Sequence, residues 1–247
     1  DISKSTLDYV YQPRENPAIS NYWLTKDENV SIVLDDCSSI DTVKTGEIDV
    51  ESGADIDEVL GSIYGGIGEE ERRTSDTKLV LHGAQYDTSN TTFPLQMVTN
   101  TSIKGYSANR DTLVRLNSEY ESPIILMREV SGVNLQNLEL RNGVSMDNGG
   151  MIEVVNSKEN DLSNMKLKGG LSIKRGGGIY ISNDIDGPVR DDDTTMTMTD
   201  VEVEDNDSIL EGGGVYFSNA NLYIDGLEVI GNSCNNPETQ HHGGGIF

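Results

Sequence analysis

At 247 residues the chain is long enough for one large domain, and 18 basic against 42 acidic side chains give it a formal net charge of −24. Such a balance excludes nucleic acid and anionic membrane as partners, because phosphates must be neutralised by Lys and Arg, and points instead to cations or to solubility in salt. No apolar run approaches the roughly 18 residues of a membrane span, and no signal peptide is visible.

Residues 1–47 read as an N-terminal cap, with strand-like runs Thr6 to Tyr11 and Val30 to Leu34 separated by Pro13, Pro17 and polar turns. Trp23, the single tryptophan, is expected to cover the open end of a core rather than to stack on a ligand. Asp35-Asp36-Cys37 reads as a turn; a nucleophilic Cys37 would need a histidine, and only His82 lies in the first half of the chain. The stretch from Asp55 to Ile63 carries the one helical signal, with acidic residues in its first turn and Ile56, Val59, Leu60 and Ile63 at helical spacing. Gly65, Gly66 and Gly68 do not make a phosphate cradle, since three glutamates and no Lys-Ser/Thr follow them.

From Lys78 onward strands follow closely: Leu79 to His82, Leu95 to Val98, Thr101 to Lys104, Thr112 to Leu116 and Ile124 to Met127. Two patterns then alternate. Apolar residues recur with a step of three and then of two, at Leu135/Leu138/Leu140, Leu162/Met165/Leu167, Met198/Val201/Val203 and Ile224/Leu227/Val229. Between them stand Gly149-Gly150-Met151-Ile152, Gly176-Gly177-Gly178-Ile179, Gly212-Gly213-Gly214-Val215 and Gly243-Gly244-Gly245-Ile246. The spacing of these anchors is too irregular for a helical solenoid and suits a fixed strand frame with loops of varying length. Each repeat therefore predicts one turn of a right-handed parallel β-helix over residues 48–247, an all-β fold with a short capping region and one short helix. The glycines are expected at corners needing positive φ or close approach, Gly214 among the positive-φ positions. Asn142, Asn206 and Asn232 are expected to stack as a ladder, and Tyr180, Tyr216 and Phe247 as a cross-coil aromatic column. Cys37 and Cys234 would then sit several coils apart, beyond the roughly 7 Å that a disulfide tolerates.

The repeats of Val203 to Asn206 with Gly212 to Val215, and of Val229 to Asn232 with Gly243 to Ile246, resemble those of polymorphic outer-membrane autotransporter passengers. Those repeats more often read Phe-x-x-Asn and Gly-Gly-Ala-Ile, so the chain departs at both motifs. Leu79 to Tyr86, Phe93-Pro94-Leu95 and Thr101 to Tyr106 are similar to the first coils of a family of uncharacterised β-helix-entry domains. The resemblance implies a secreted or cell-surface protein, associated with an outer membrane, whose partner is a cell-surface glycan or protein. Asp1 at the start and Phe247 inside a repeat are read as the bounds of a fragment, with further coils expected beyond. Tripeptides at Asn29, Asn90, Asn100 and Asn206 match the N-glycosylation pattern and leave a eukaryotic source open.

Chemistry is sought in residues 184–211, where Asp191, Asp192 and Asp193 follow Gly187-Pro188, and Asp205, Asp207 and Glu211 precede a glycine triplet. Converging carboxylates suit calcium, so these six are the candidate metal ligands, although their spacing fits neither an EF-hand nor the glycine-rich nonapeptide repeat. A solvated acidic loop is the competing reading. No catalytic residue and no required cofactor is assigned. His241 and His242 alternate to opposite faces of a strand without a third ligand, and the chain has no Gly-x-Ser-x-Gly elbow. The expected function is a non-enzymatic passenger with a role in adhesion or surface structure. The alternative is a carbohydrate-active β-helix, either a pectate-lyase-like enzyme with Arg141, Arg175 or Arg190 as base or a glycan-binding module.

Overall fold

The computed structural model describes residues 46–51, 53–64, 77–106, 112–183, 194–235 and 243–247, with three short strands before them, Tyr22–Leu24, Leu34–Asp35 and Ser39–Ile40. The expectations for Cys37, for the side chain of Trp23, for His241 and His242 and for Asp191 to Asp193 lie outside the described residues.

The chain winds into a parallel β-solenoid of about six turns with one short helix. Its long face stacks Gly46–Val50, Thr77–Leu81, Thr101–Gly105, Asn134–Arg141, Asn160–Lys168, Thr194–Glu204 and Ala220–Ile230, each hydrogen-bonded in parallel to the next. A second face stacks Leu95–Gln96, Ile125–Arg128, Ile152–Val155, Ile179–Ser182 and Val215–Ser218. A short third face is built of two-residue strands, Val144–Ser145, Leu171–Ser172, Asp207–Ser208 and Ser233–Cys234.

The three-then-two spacing of the apolar residues has a backbone cause. Asn137, Asn164, Asp200 and Gly226 adopt positive φ, between 48° and 76°, in the middle of the long strands. The pairing passes over them: Gln136 faces Ser163 and Leu138 faces Met165, with Asn137 and Asn164 outside the register. A left-handed residue turns the strand, and the alternation restarts one position late, so that Leu135, Leu138 and Leu140 all point inward and are fully buried. Asn and Asp tolerate this conformation better than other residues with a Cβ, and Gly does so freely. A second left-handed column follows at Asn142, Gly169, Asp205 and Gly231.

The glycine triplets serve two needs. Gly176 and Gly212, the first of each triplet, have φ of 65° and 59°. Gly214 does not have the positive φ expected from sequence; a Cβ there would lie 2.7 Å from Gly245 O and 3.0 Å from the Asn232 amide. Gly213 is tighter still, since its Cβ would overlap the carbonyl oxygens of Ser233 and Gly244 in the following coil. Close approach of backbone to backbone is what the second and third glycines provide, and the first glycines add it to their positive φ, since a Cβ on Gly212 would lie 2.5 Å from Val215 O.

The asparagine ladder forms one position away from where Asn142 would place it. Asn206 is fully buried, its Nδ2 donates to Asn232 Oδ1 at 2.9 Å and to Leu167 O at 3.2 Å, and its Oδ1 accepts from Gly170 N at 2.7 Å. Asn232 Nδ2 donates to Val203 O at 2.8 Å. Asn142 belongs to the neighbouring left-handed column and donates instead to Asn117 Oδ1 at 3.1 Å. Burial of Asn206 also removes it from the glycosylation candidates.

At the N-terminal end, Tyr22–Leu24 pairs antiparallel with Gly46–Val50 and so closes an edge that would otherwise stay open to further strands. The predicted helix spans Ile56–Tyr64; Ile56, Val59 and Leu60 are buried against the first coils. Asp55 caps it, accepting from Asp57 N at 2.9 Å, and holds the following coil through Thr92 N at 3.0 Å. Tyr86, fully buried beneath this cap, donates to Val50 O at 2.7 Å, and burial pushes its phenol up to about 12.

Substitution at the two kinds of glycine should therefore separate. Gly213→Ala is expected to lower stability by more than about 3 kcal/mol, because backbone of two coils must move, whereas Gly169→Asn, at a left-handed position where the atoms nearest a Cβ would belong to the side chains of Asn142 and Tyr120, should cost about 1 kcal/mol. Thermal or denaturant melts of the two variants measure this; equal losses would mean that the close approach at Gly213 is not the constraint.

Candidate functional site

Successive coils of the regular repeat are 27 and 26 residues apart, and one step is 36. The longer step contains residues 184–193, which separate the strand Ile179–Ser182 from Thr194–Glu204 in sequence. Asn183 and Thr194, on either side of this stretch, are joined directly: Asn183 Oδ1 accepts from Thr194 N at 2.9 Å and from its hydroxyl. These two residues thus stand at the corner between the second face and the long face.

The three described members of the candidate metal set stand elsewhere. Asp205 lies in the second left-handed column, at the far end of the eleven-residue strand Thr194–Glu204, 3.3 Å from Lys168 Nζ. Asp207 lies on the short face and accepts from the hydroxyl of Ser233. Glu211 precedes the triplet and accepts from Arg175 Nε at 2.6 Å. Each is engaged with a different neighbour, and no group of three His, Cys, Asp or Glu side chains suited to a metal ion occurs among the described residues. Strand geometry, at about 3.3 Å per residue, also sets Asp205 far along the coil from the root of the insertion.

The outer surface of the long face carries a charge ladder that the acidic composition conceals. Arg115, Glu139, Lys166, Glu202 and Glu228 stack in one column, and Asn117, Arg141, Lys168, Glu204 and Ile230 in the next. Glu139 is held by Arg115 at 3.0 Å and by Arg141 at 2.6 Å; Lys166 reaches Glu202 at 2.8 Å and Glu204 at 2.7 Å; Lys168 reaches Glu204 at 2.8 Å. On the second face, Arg128 holds Glu153 through a fork of 2.9 Å contacts. A single exposed pair contributes little, but here the parallel register sets Glu139 between Arg115 and Lys166, Lys166 beside Glu202 and Lys168 beside Glu204. These contacts outweigh the like-charged neighbours Arg141/Lys168 and Glu202/Glu228 and link the charges into a network.

The aromatic column forms as the sequence indicates. Tyr180 and Tyr216 stack with centroids 5.3 Å apart and planes within 7°, and Tyr216 and Phe247 with 5.6 Å and 4°. The Arg175 guanidinium lies 5.2 Å from the Tyr216 ring. These rings lie face to face along the solenoid axis, so each covers its neighbour and turns its edge to solvent. In the first coils, His82 Nε2 is 2.5 Å from Asp49 Oδ1, with the Tyr106 ring 5.0 Å away. Cys234 is a free thiol whose Sγ lies 3.0 Å from Leu210 O.

With this geometry in hand, the chain was compared with protein-family models, curated proteins and solved structures, and none of them matches it. The fold that can be stated is therefore the parallel β-solenoid itself. No helix among the described residues is long and apolar enough to cross a membrane.

The ladder has a pH signature. Hydrogen bonds from Lys166 and then Lys168 pull Glu204 down to about 2, well below the usual carboxylate range. A carboxyl whose folded pKa is depressed contributes stability that is fully present above its unfolded value, about 4.3, and is lost as pH falls through the folded value. Glu204→Gln should therefore lower the melting temperature at pH 6 to 7, and the difference from the parent should shrink between about pH 4.5 and pH 2. Paired thermal melts across that range test it, and a difference that stays constant down to pH 2 would rule the ion-pair network out as the cause.

Proposed function

We propose that the chain is a non-enzymatic β-solenoid of a secreted or cell-surface protein, an elongated passenger that holds loops at defined corners for adhesion or surface structure. The observation that supports this most is the use made of the outward polar and aromatic side chains. Arg115, Arg128, Lys166, Lys168 and Arg175 are each engaged by a carboxylate on a neighbouring coil. A general acid or base needs a free reacting site beside it, and groups tied into coil-to-coil ion pairs serve the stack instead. The aromatic column argues in the same direction, because a sugar ring docks on an open aromatic face and the faces of Tyr216 are occupied by Tyr180 and Phe247.

Arg141 and Arg175, two of the bases that a lyase reading would use, are paired with Glu139 and Glu211. Arg190 lies outside the described residues. Calcium, in this reading, acts as a stabiliser bound around the insertion and not as a reactant.

Incubation with polygalacturonate, with and without millimolar calcium, is expected to give no unsaturated product. Calcium should raise the melting temperature more than sodium at matched ionic strength, and Asp191→Ala with Asp193→Ala should remove that excess. Appearance of unsaturated oligosaccharide would overturn the non-enzymatic reading, and equal effects of calcium and sodium would reduce the insertion to a solvated loop.

A further inference from the structure

The short face differs from the rest of the surface. Its two-residue strands bury Ser145, Ser172 and Ser208 and turn the residues on either side of them outward. The backbone hydrogen bonds from Ile173 N to Ser145 O and from Ile209 N to Ser172 O stack Met146, Ile173 and Ile209 directly above one another. All three are exposed, at 77%, 39% and 41%, and Leu171 beside them is 37% exposed. A rigid apolar stripe thus runs across three coils, about 10 Å long at the inter-strand spacing of a sheet. Scattered apolar side chains need no explanation, but a contiguous row in register on a chain of net charge −24 does.

The charges beside the stripe define what could cover it. Lys174 is paired with Asp147 at 2.7 Å and Arg175 with Glu211 at 2.6 Å, so the neighbouring cations are already neutralised. Asp207 follows Leu171 in its own column, accepts from the Ser233 hydroxyl and has no basic partner among the described residues. An approaching basic side chain would find this carboxylate next to Ile209. The area, on the order of a few hundred Å², falls short of the roughly 800 Å² per partner of a stable dimer, and two copies would bring like charge together. Anionic lipid is repelled for the same reason.

We propose that Met146, Ile173 and Ile209, with Leu171 and Asp207 beside them, form a docking surface for a cationic amphipathic segment of a partner protein. Apolar side chains of the segment cover the stripe, one of its Lys or Arg side chains meets Asp207, and the field of the acidic protein steers the encounter. The surface lies on the solenoid itself and does not depend on the protein's location or on the insertion.

Fluorescence anisotropy with a labelled peptide of alternating leucine and lysine, against a serine–lysine peptide of equal charge at about 0.15 M salt, tests this. The leucine–lysine peptide is expected to bind at least about tenfold tighter. Met146→Ser with Ile173→Ser should cut its affinity about fivefold or more while leaving the serine–lysine peptide unaffected, and Asp207→Asn should weaken both. Both apolar side chains are exposed, so the melting temperature should hold; Met146→Ser alone provides the check with least structural change. Equal affinity for the two peptides, or an unchanged affinity in the double variant, would overturn the proposal. Self-association of the parent chain that the double variant abolishes, seen by sedimentation, would make a second copy the occupant and overturn it too, as would stripe-dependent binding to phosphatidylcholine vesicles.

Discussion

Every other feature of this protein depends on the parallel backbone hydrogen bonding from one coil to the next. A single coil is too thin to enclose a core, and its inward residues become buried only when a coil above and a coil below exclude water. Leu135, Leu162 and Met198 are fully buried in this way, one above the other. The same bonding fixes the height of each rung, and with it which side chains meet. Ion pairs, asparagine contacts and stacked rings are all consequences of one register, and a slip of one residue would undo them together.

The left-handed bends, at the corners and within the long strands, keep that register. At several of them an Asn or Asp in the left-handed conformation faces a glycine of the following coil: Asn100 and Gly132, Asn142 and Gly169, Asp200 and Gly226, Asp205 and Gly231. In each pair the side-chain oxygen stands where a Cβ on the glycine would be. A short polar side chain and a missing one thus interlock, and two adjacent coils cannot both carry a large residue there. Asn164 and Asn137 meet differently, amide to amide at 2.9 Å. Corner chemistry varies from coil to coil while the backbone path is conserved along the stack.

Much of this was legible in the sequence because solenoids repeat their physical requirements. The apolar triples, the glycine triplets and the recurrence of Tyr180, Tyr216 and Phe247 each return once per coil, and the helix after Asp55 shows its cap and its apolar spacing. Other features were less accessible. The step of three in the apolar pattern already contained the left-handed column, since an Asn, Asp or Gly stands two residues after Leu135, Leu162, Met198 and Ile224, but its meaning lies in φ. Asn142 and Asn206 look equivalent in sequence and fall in adjacent columns, because one residue of offset at a corner is invisible without the pairing. Asp205, Asp207 and Glu211 were grouped by closeness along the chain, whereas the coil carries each of them to a different neighbour. Met146, Ile173 and Ile209 carried no signal in the sequence; they point outward because Ser145, Ser172 and Ser208 before them take the inward positions.

One junction reaches beyond the fold of this chain. Asn183 and Thr194 clasp each other across the ten residues between them, so the second face and the long face are tied together by the two residues that flank that stretch. The stretch between the two clasp positions can therefore change in length while the clasp keeps the register of the strands on either side. For the same reason it is a natural graft point, where a foreign epitope or a tethered enzyme could be carried on a rod whose length is set separately by the number of rungs.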